Sequence, residues 1–223
     1  MKMKKNWSYI STGNFGYPQP EDGYEEITYS KSDGCKPCEI GKVQIKPFRF
    51  RKEPRMKNRQ FLGLNWVFDQ IFIHEIVKKK FEEIGVTGIR FSKPIIHKSE
   101  KELDSIFQLH VDGILPKSLK GDNLSTEICE MPKDEAMLRF LKANKSRLVE
   151  GPFCQRRKYN FPQGQTMKFE STAFKESPDF IRTYEWFGSG GSANRPILIS
   201  EKIKNIITEN KWRGAFFQEI ELI

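Results

Sequence analysis

Apolar positions along this chain change period twice in the same way. Ile71, Phe72 and Ile73 form a short apolar run that predicts a buried strand. After His74 and Glu75 the spacing becomes helical, with Ile76, Val77, Phe81 and Ile84 on one side and Lys78, Lys79, Glu82 and Glu83 mostly on the other. Gly88 marks the exit, and Ile89-Arg90-Phe91 begins a second strand. Ile197-Leu198-Ile199-Ser200-Glu201 opens an equivalent run that ends at Gly214-Ala215-Phe216-Phe217. At one constant offset seven positions coincide: Ile71 with Ile197, Ile73 with Ile199, Glu75 with Glu201, Lys78 with Lys204, Glu83 with Glu209, Gly88 with Gly214, and Phe91 with Phe217. A shared register of this kind points to duplication. Two strand-helix-strand units, at about 66–96 and 193–223, predict a sheet covered by two equivalent helices.

The remaining pattern fills in around these units. Residues 1 to 34 are irregular, with a turn at Tyr17 to Gly23 and short strands expected near Trp7 to Ile10 and Glu26 to Tyr29. Lys42 to Lys46 alternates as a strand, as do Ile89 to His97 and Ser105 to Val111, and Glu127 to Cys129 suits another. Lys133 to Leu148 has helical spacing, and Ser177-Pro178 reads as a helix start leading to a short turn near Phe187. The expected fold is α+β: mixed or antiparallel sheets, a few amphipathic helices and a degenerate zinc-ribbon-like N-terminal part. It is read as a single domain over 1–223. Residues 1–60 form the ribbon-like part, 61–150 the first unit plus a helix, and 151–223 the second unit.

Composition adds constraints. Hydrophobic content of 37% with 18 phenylalanines supports a core despite 30% charged residues, so disorder is not expected. The net charge of +9 suits an anionic partner. No apolar run reaches membrane-spanning length, and the basic N-terminus is not followed by the apolar stretch of a signal peptide. With four cysteines and no export signal, a reducing compartment is expected, hence the cytoplasm.

Candidate chemistry starts at Cys35-Lys36-Pro37-Cys38, flanked by Gly34 and Gly41. Two thiolates on a tight turn can hold one tetrahedral ion, which is half of a zinc ribbon. A redox CxxC would open a helix, whereas a strand pattern follows here. In Phe48 to Arg59, Arg49, Arg51, Arg55, Lys57 and Arg59 stand among Phe48, Phe50 and Met56. Such a segment could bind single-stranded nucleic acid, but a half-buried strand followed by a solvated loop is favoured, because Pro54 stops the alternation. His74 is expected to cap a helix or lie on the surface. Cys154 fails the phosphatase Cys-x5-Arg test, since position 160 is Asn. No HExxH, GxSxG, GxGxxG after a strand, or Walker A motif occurs, so no catalytic residue is nominated and an enzyme is not expected.

Cys35-x-x-Cys38, the Cys154 segment, Asp179-Phe180-Ile181-Arg182-x-x-Glu185-x-Phe187-Gly188, Ile197-Leu198-Ile199-Ser200-Glu201 and Gly214 follow one layout. Together they resemble the double-CXXCG-motif family, found mainly as immunity proteins beside contact-dependent bacterial toxins. The likeness covers most of residues 35 to 223. It departs from the family pattern where Glu39 replaces the first glycine and where Arg157 stands at the expected partner position of Cys154. The resemblance carries over Cys35, Cys38 and Cys154 as candidate zinc ligands, with Cys129 the fourth if the fold brings it close; three cysteines make a poor structural zinc site, and a degenerate ribbon packed as ordinary core is the rival. It also implies a cytoplasmic, non-catalytic protein that neutralises a cognate toxin by binding it. Arg49, Arg51, Arg55, Lys57 and Arg59 are the first candidates for the binding surface, and a zinc-ribbon-like nucleic-acid-binding protein is the alternative. Function is expected on the irregular surface between or before the two repeats.

Overall fold

The computed structural model describes residues 6–13, 24–30, 32–65, 67–121, 124–129, 154–162 and 164–223. The helix expected at Lys133 to Leu148 and the turn at Tyr17 to Gly23 lie outside the described residues. The first part of the chain runs through β1 (Trp7–Thr12), α1 (Tyr24–Thr28), β2 (Arg49–Phe50), β3 (Phe61–Leu64), β4 (Val67–His74), α2 (Glu75–Glu83), β5 (Ile89–Ser92), β6 (Ile95–Ile96) and β7 (Ile106–Val111). It continues through β8 (Thr126–Ile128), β9 (Arg157–Tyr159), β10 (Lys168–Phe169), a 3-10 turn at Ser171–Phe174, β11 (Phe180–Arg182) and β12 (Trp186–Phe187). A second 3-10 turn at Gly190–Ser192 precedes β13 (Ile197–Ser200), α3 (Glu201–Glu209), β14 (Ala215–Glu219) and β15 (Glu221–Leu222). The fold is α+β, with mostly antiparallel sheets and three α-helices among the described residues.

Two four-stranded sheets dominate, ordered β3-β4-β7-β5 and β11-β13-β1-β14. This differs from the expected single sheet under two helices. In each sheet the strand that enters the helix and the strand that leaves it are separated by a third, antiparallel to both: β7 lies between β4 and β5, and β1 between β13 and β14. The register keeps the equivalence. Leu109 faces both Ile71 and Phe91, while Ile10 faces both Ile197 and Phe217. The inserted strand follows the first unit in one case and opens the chain in the other, so the linear repeat could not reveal it.

Both faces are covered at Ile71–Ile73 and Ile197–Ile199, which is why these stretches read as unbroken apolar runs rather than as alternation. The central core takes Ile71, Ile73, Val77 and Phe81 from the first unit and their equivalents Ile197, Ile199, Ile203 and Ile207 from the second. Leu62, Leu64, Phe72 and Ile106 turn to an outer core with Phe48 and Phe50. Trp7, Ile181 and Leu198 turn to another with Phe169, Phe174 and Phe187.

The two sheets grip each other reciprocally, each unit's helix exit meeting an edge strand of the other sheet. Thr87 O accepts the Phe180 amide at 3.2 Å, and Arg213 O accepts the Phe61 amide at 3.0 Å. Gly88 (φ +84°) and Gly214 (φ +99°) sit at these crossings, where a Cβ would lie 2.2 Å from Phe180 O and 2.1 Å from Phe61 O. Glycine is required at both, for conformation and for space.

Several local expectations change. His74 does cap α2, its Nδ1 accepting the Ile76 amide at 3.3 Å, whereas the Ser200 hydroxyl at the start of α3 donates to Asp179 Oδ1 at 3.0 Å instead. Ser177-Pro178 opens no helix. Phe180–Arg182 pairs with β13 because Phe180 and Ile181 each have a core to enter on opposite faces. Residues near Glu26 form α1 rather than a strand, with Glu25 and Glu26 suited to the positive end of its dipole. Lys42 to Lys46 contributes only the Tyr29–Gln44 bridge, and its Val43 and Ile45 are exposed. The run Ile89 to His97 breaks into β5 and β6 at Lys93-Pro94, as proline at a sheet interior would require.

Candidate metal centre and cationic cleft

Gly34 (φ +87°) and Gly41 (φ +78°) bend the chain so that Cys35 and Cys38 lie on one turn. The turn is closed by the Cys35 amide donating to Ile40 O at 2.9 Å and the Glu39 amide to Cys35 O at 2.7 Å. Cys154 arrives from the other half of the chain. Its Sγ lies 3.3 Å from that of Cys38, and the sulfurs of Cys35, Cys38 and Cys154 all lie within 4.8 Å of one another. These three thiols are therefore close enough to hold a metal ion.

Cys129 joins the same buried cluster, held beside the Cys154 segment by two backbone bonds: its amide to Arg156 O and the Gln155 amide to its own carbonyl, both 3.0 Å. The Cys129 thiol also interacts with that of Cys154. The antiparallel pairing of β8 with β9, which sets Ile128 against Arg157, brings it there. Sequence distance gave no hint of this convergence.

Cys38 and Cys154 have the same local geometry. Each is followed by a non-glycine residue at positive φ, Glu39 at +62° and Gln155 at +51°. Each sulfur accepts an amide two residues on, from Ile40 and from Arg156 respectively. Cys154 thus corresponds to the second cysteine of the first turn. The position expected for its partner, Arg157, is an exposed residue of β9, outside the cluster.

A feature absent from the sequence reading is Lys158, which is 0% exposed. Its Nζ donates to Gly190 O at 2.6 Å and lies 3.6 Å from Cys38 Sγ. Burial disfavours its charge, but Cys129, Cys38 and Cys154 outweigh this and raise its pKa. Burial also pushes the Cys38 and Cys154 thiols up, while at Cys35 burial is overcome by the Cys38 amide and the neighbouring thiols and Arg156, which bring it down. The buried ammonium beside Cys38, Cys129 and Cys154 opposes that rise at Cys38 without reversing it.

Against this cluster opens a cleft of about 600 Å³. One wall is the cysteine turn itself (Gly34, Glu39, Ile40, Gly41, Lys42). The outer face of the first sheet contributes Gln70, Arg90 and His110, and the third wall carries Arg156, Arg182, Trp186 and Arg195. Trp186 ties cluster to cleft: a Cβ on Gly41 would lie 3.3 Å from its ring, while Arg195 stacks on it with its guanidinium 4.6 Å from the ring centroid. On the sheet face Gln108 donates to both Gln44 (2.7 Å) and Gln70 (2.6 Å), and His110 Nε2 meets Ser92 Oγ at 2.7 Å. Burial, then the charges of Arg90 and Arg182, hold His110 down at about 4, with Asp112 opposing.

The residues after Ser177 buttress this wall. The Asp179 carboxylate accepts from the Thr87 amide (3.1 Å), Ser200 and Lys202, and these outweigh its burial to lower its pKa. Buried Glu185 accepts the amides of Ser118 (3.3 Å) and Leu119 (3.2 Å).

The basic segment 48–59 lies elsewhere and shares no lining residue with this cleft. Phe48 and Phe50 are fully buried edge-on against Phe72, at 4.8 and 4.9 Å, so neither ring offers a face to a base. Arg49 pairs with Glu100 at 3.0 Å; Arg51, Arg55 and Lys57 are exposed, and Arg59 is half-buried. No helix among the described residues is long and apolar enough to cross a membrane. A scan against protein-family models finds no match, and a search of curated proteins finds none either.

Proposed function

We propose that this chain is a cytoplasmic immunity protein that neutralises a bacterial toxin by binding it, without chemistry of its own. The observation that carries this is the cleft. It is open and cationic, and it is walled by the cysteine turn and by the Asp179–Gly188 segment, two of the stretches on which the resemblance to the double-CXXCG-motif immunity proteins rests. Clustered Arg and Trp side chains on a braced surface are the composition of protein-binding hot spots. The thiols of Cys35, Cys38 and Cys154, with Cys129 packed beside them and Lys158 to offset their charge, suit zinc, whose preferred donors are thiolates. Zinc held there would cross-link the Cys35–Cys38 turn to the Cys129 and Cys154 segments and so brace the cleft; its role in this reading is structural.

The test is co-expression with the toxin encoded beside this gene. Neutralisation, together with a stoichiometric complex on size-exclusion chromatography, is the expected result. Absence of a complex, with salt-dependent retention on DNA instead, would overturn it in favour of a nucleic-acid-binding protein.

A further inference from the structure

The cleft holds more positive charge than its own carboxylates balance. Lys42, Arg90, Arg156, Arg182 and Arg195 line it, against Glu25, Glu39 and Asp112. Lys42 pairs with Glu39 at 3.1 Å and Arg90 with Asp112 at 3.0 Å, Arg156 donates to the Cys35 sulfur, and Arg182 is likewise engaged. Arg156 and Arg195 share the ring of Trp186, their guanidiniums 6.0 and 4.6 Å from its centroid, and Arg195 also lies 5.8 Å over Tyr184. Arg195 Nε is buried with no hydrogen-bond partner among the described residues. Burial, followed by the charges of Arg156 and Arg182, pulls its pKa below the ordinary value. Holding like charges together in a partly desolvated place is unfavourable until an anion arrives. Stacking meanwhile fixes the guanidinium planes, whose N–H edges suit a planar acceptor.

We propose that this cleft receives an acidic segment of a partner protein, whose carboxylates pair with Arg156 and Arg195 while an apolar neighbour packs on the rim formed by Val43 and Ile114. The inference rests on the toxin-binding reading, in which the segment belongs to the toxin. Val43 and Ile114 are exposed apolar residues lining the cleft, and exposed Ile27 and Ile45 lie on the two stretches joined by the Tyr29–Gln44 bridge. An apolar rim around clustered Arg and Trp fits a peptide better than a nucleic acid strand. The ring of Trp186 is already covered by guanidiniums rather than free to stack on a base, which disfavours a nucleic acid strand.

The probes are an octaglutamate peptide and a single-stranded oligonucleotide of equal charge, titrated at low salt into the full chain. Octaglutamate is expected to bind more tightly than the oligonucleotide and to lose at least tenfold in affinity in Arg156→Gln/Arg195→Gln. Arg195→Lys, which keeps the charge without the planar fork, should lose less and covers the case in which the double variant melts early. Arg51→Gln/Arg55→Gln, outside the cleft, should bind within twofold of the unchanged chain. Equal affinity of the cleft variants and the unchanged chain would overturn the proposal, and so would oligonucleotide binding that is tighter and equally dependent on Arg156 and Arg195. Repeating the comparison with the neighbouring toxin separates the two claims. If the toxin binds the unchanged and cleft-variant chains alike, the cleft assignment falls while the immunity reading stands. If the toxin does not bind at all but octaglutamate still needs Arg156 and Arg195, the immunity reading falls and the cleft assignment stands.

Discussion

Replacing Gly214 by alanine tests the reciprocal grip between the two sheets. At φ +99° an L-residue is strained, at roughly 1–3 kcal/mol. The added Cβ would also lie 2.1 Å from Phe61 O, so one of two backbones must move. That movement would disturb the Phe61 amide bond to Arg213 O (3.0 Å) and the Arg213 amide bond to Gln60 Oε1 (2.8 Å), each contributing about 1 kcal/mol. Together these give a loss of about 3–5 kcal/mol, a large part of the roughly 5–15 kcal/mol typical of a folded protein. Gly88→Ala should lose a similar amount, because its Cβ would meet Phe180 O at 2.2 Å. Gly85→Ala is the control. It has φ +62° but nothing within 4 Å of its Cβ, so it should lose only about 1–2 kcal/mol. Urea unfolding of the three variants measures this directly. If Gly214→Ala proves no more costly than Gly85→Ala, the close approach to Phe61 is not a constraint and the reasoning fails.

The position equivalent to Gly85 in the second repeat is Lys211 at φ +54°, so Lys211→Gly should raise stability by about 0.5–1 kcal/mol; a lower urea midpoint would contradict this. Purified under reducing conditions, the chain should carry about one zinc, lost in Cys38→Ser and Cys154→Ser. In Cys129→Ser zinc should be held more weakly against a chelator, and unchanged retention would remove Cys129 from the ligand set. His110 takes up its proton near pH 4 when folded, against 6.5 ordinarily, so its stabilising contribution is present above pH 6.5 and is lost as pH falls from there to about 4. The contribution is at most about 3 kcal/mol, less after solvent screening, and His110→Gln should flatten the acid limb of the stability profile. An unchanged limb would mean that His110 titrates normally.

The sequence alone determined the local grammar of this protein. Apolar period gave both helices, their entering and leaving strands and the glycine exits, because those depend on contacts a few residues apart. The Cys35–Cys38 turn was equally legible, being set by two thiols and two flanking glycines. Tertiary structure decided which strands lie side by side and what gathers at the cleft. Nothing in either repeat says that β1 must slot between β13 and β14, or that Ser177-Pro178 will yield to a strand once Phe180 and Ile181 find cores on opposite faces. Cys129 meets the Cys154 segment through the pairing of β8 with β9, and the approach of Cys154 to Cys38 and the burial of Lys158 beside them are likewise contacts between distant parts of the chain. Arg156, Arg182 and Arg195 look like ordinary surface charges in the sequence, since a charge declares its role only when its neighbours are known. The basic run at 49–59 was the louder signal, yet its aromatic residues fold inward, so charge density along a chain is a poor guide to charge density in space.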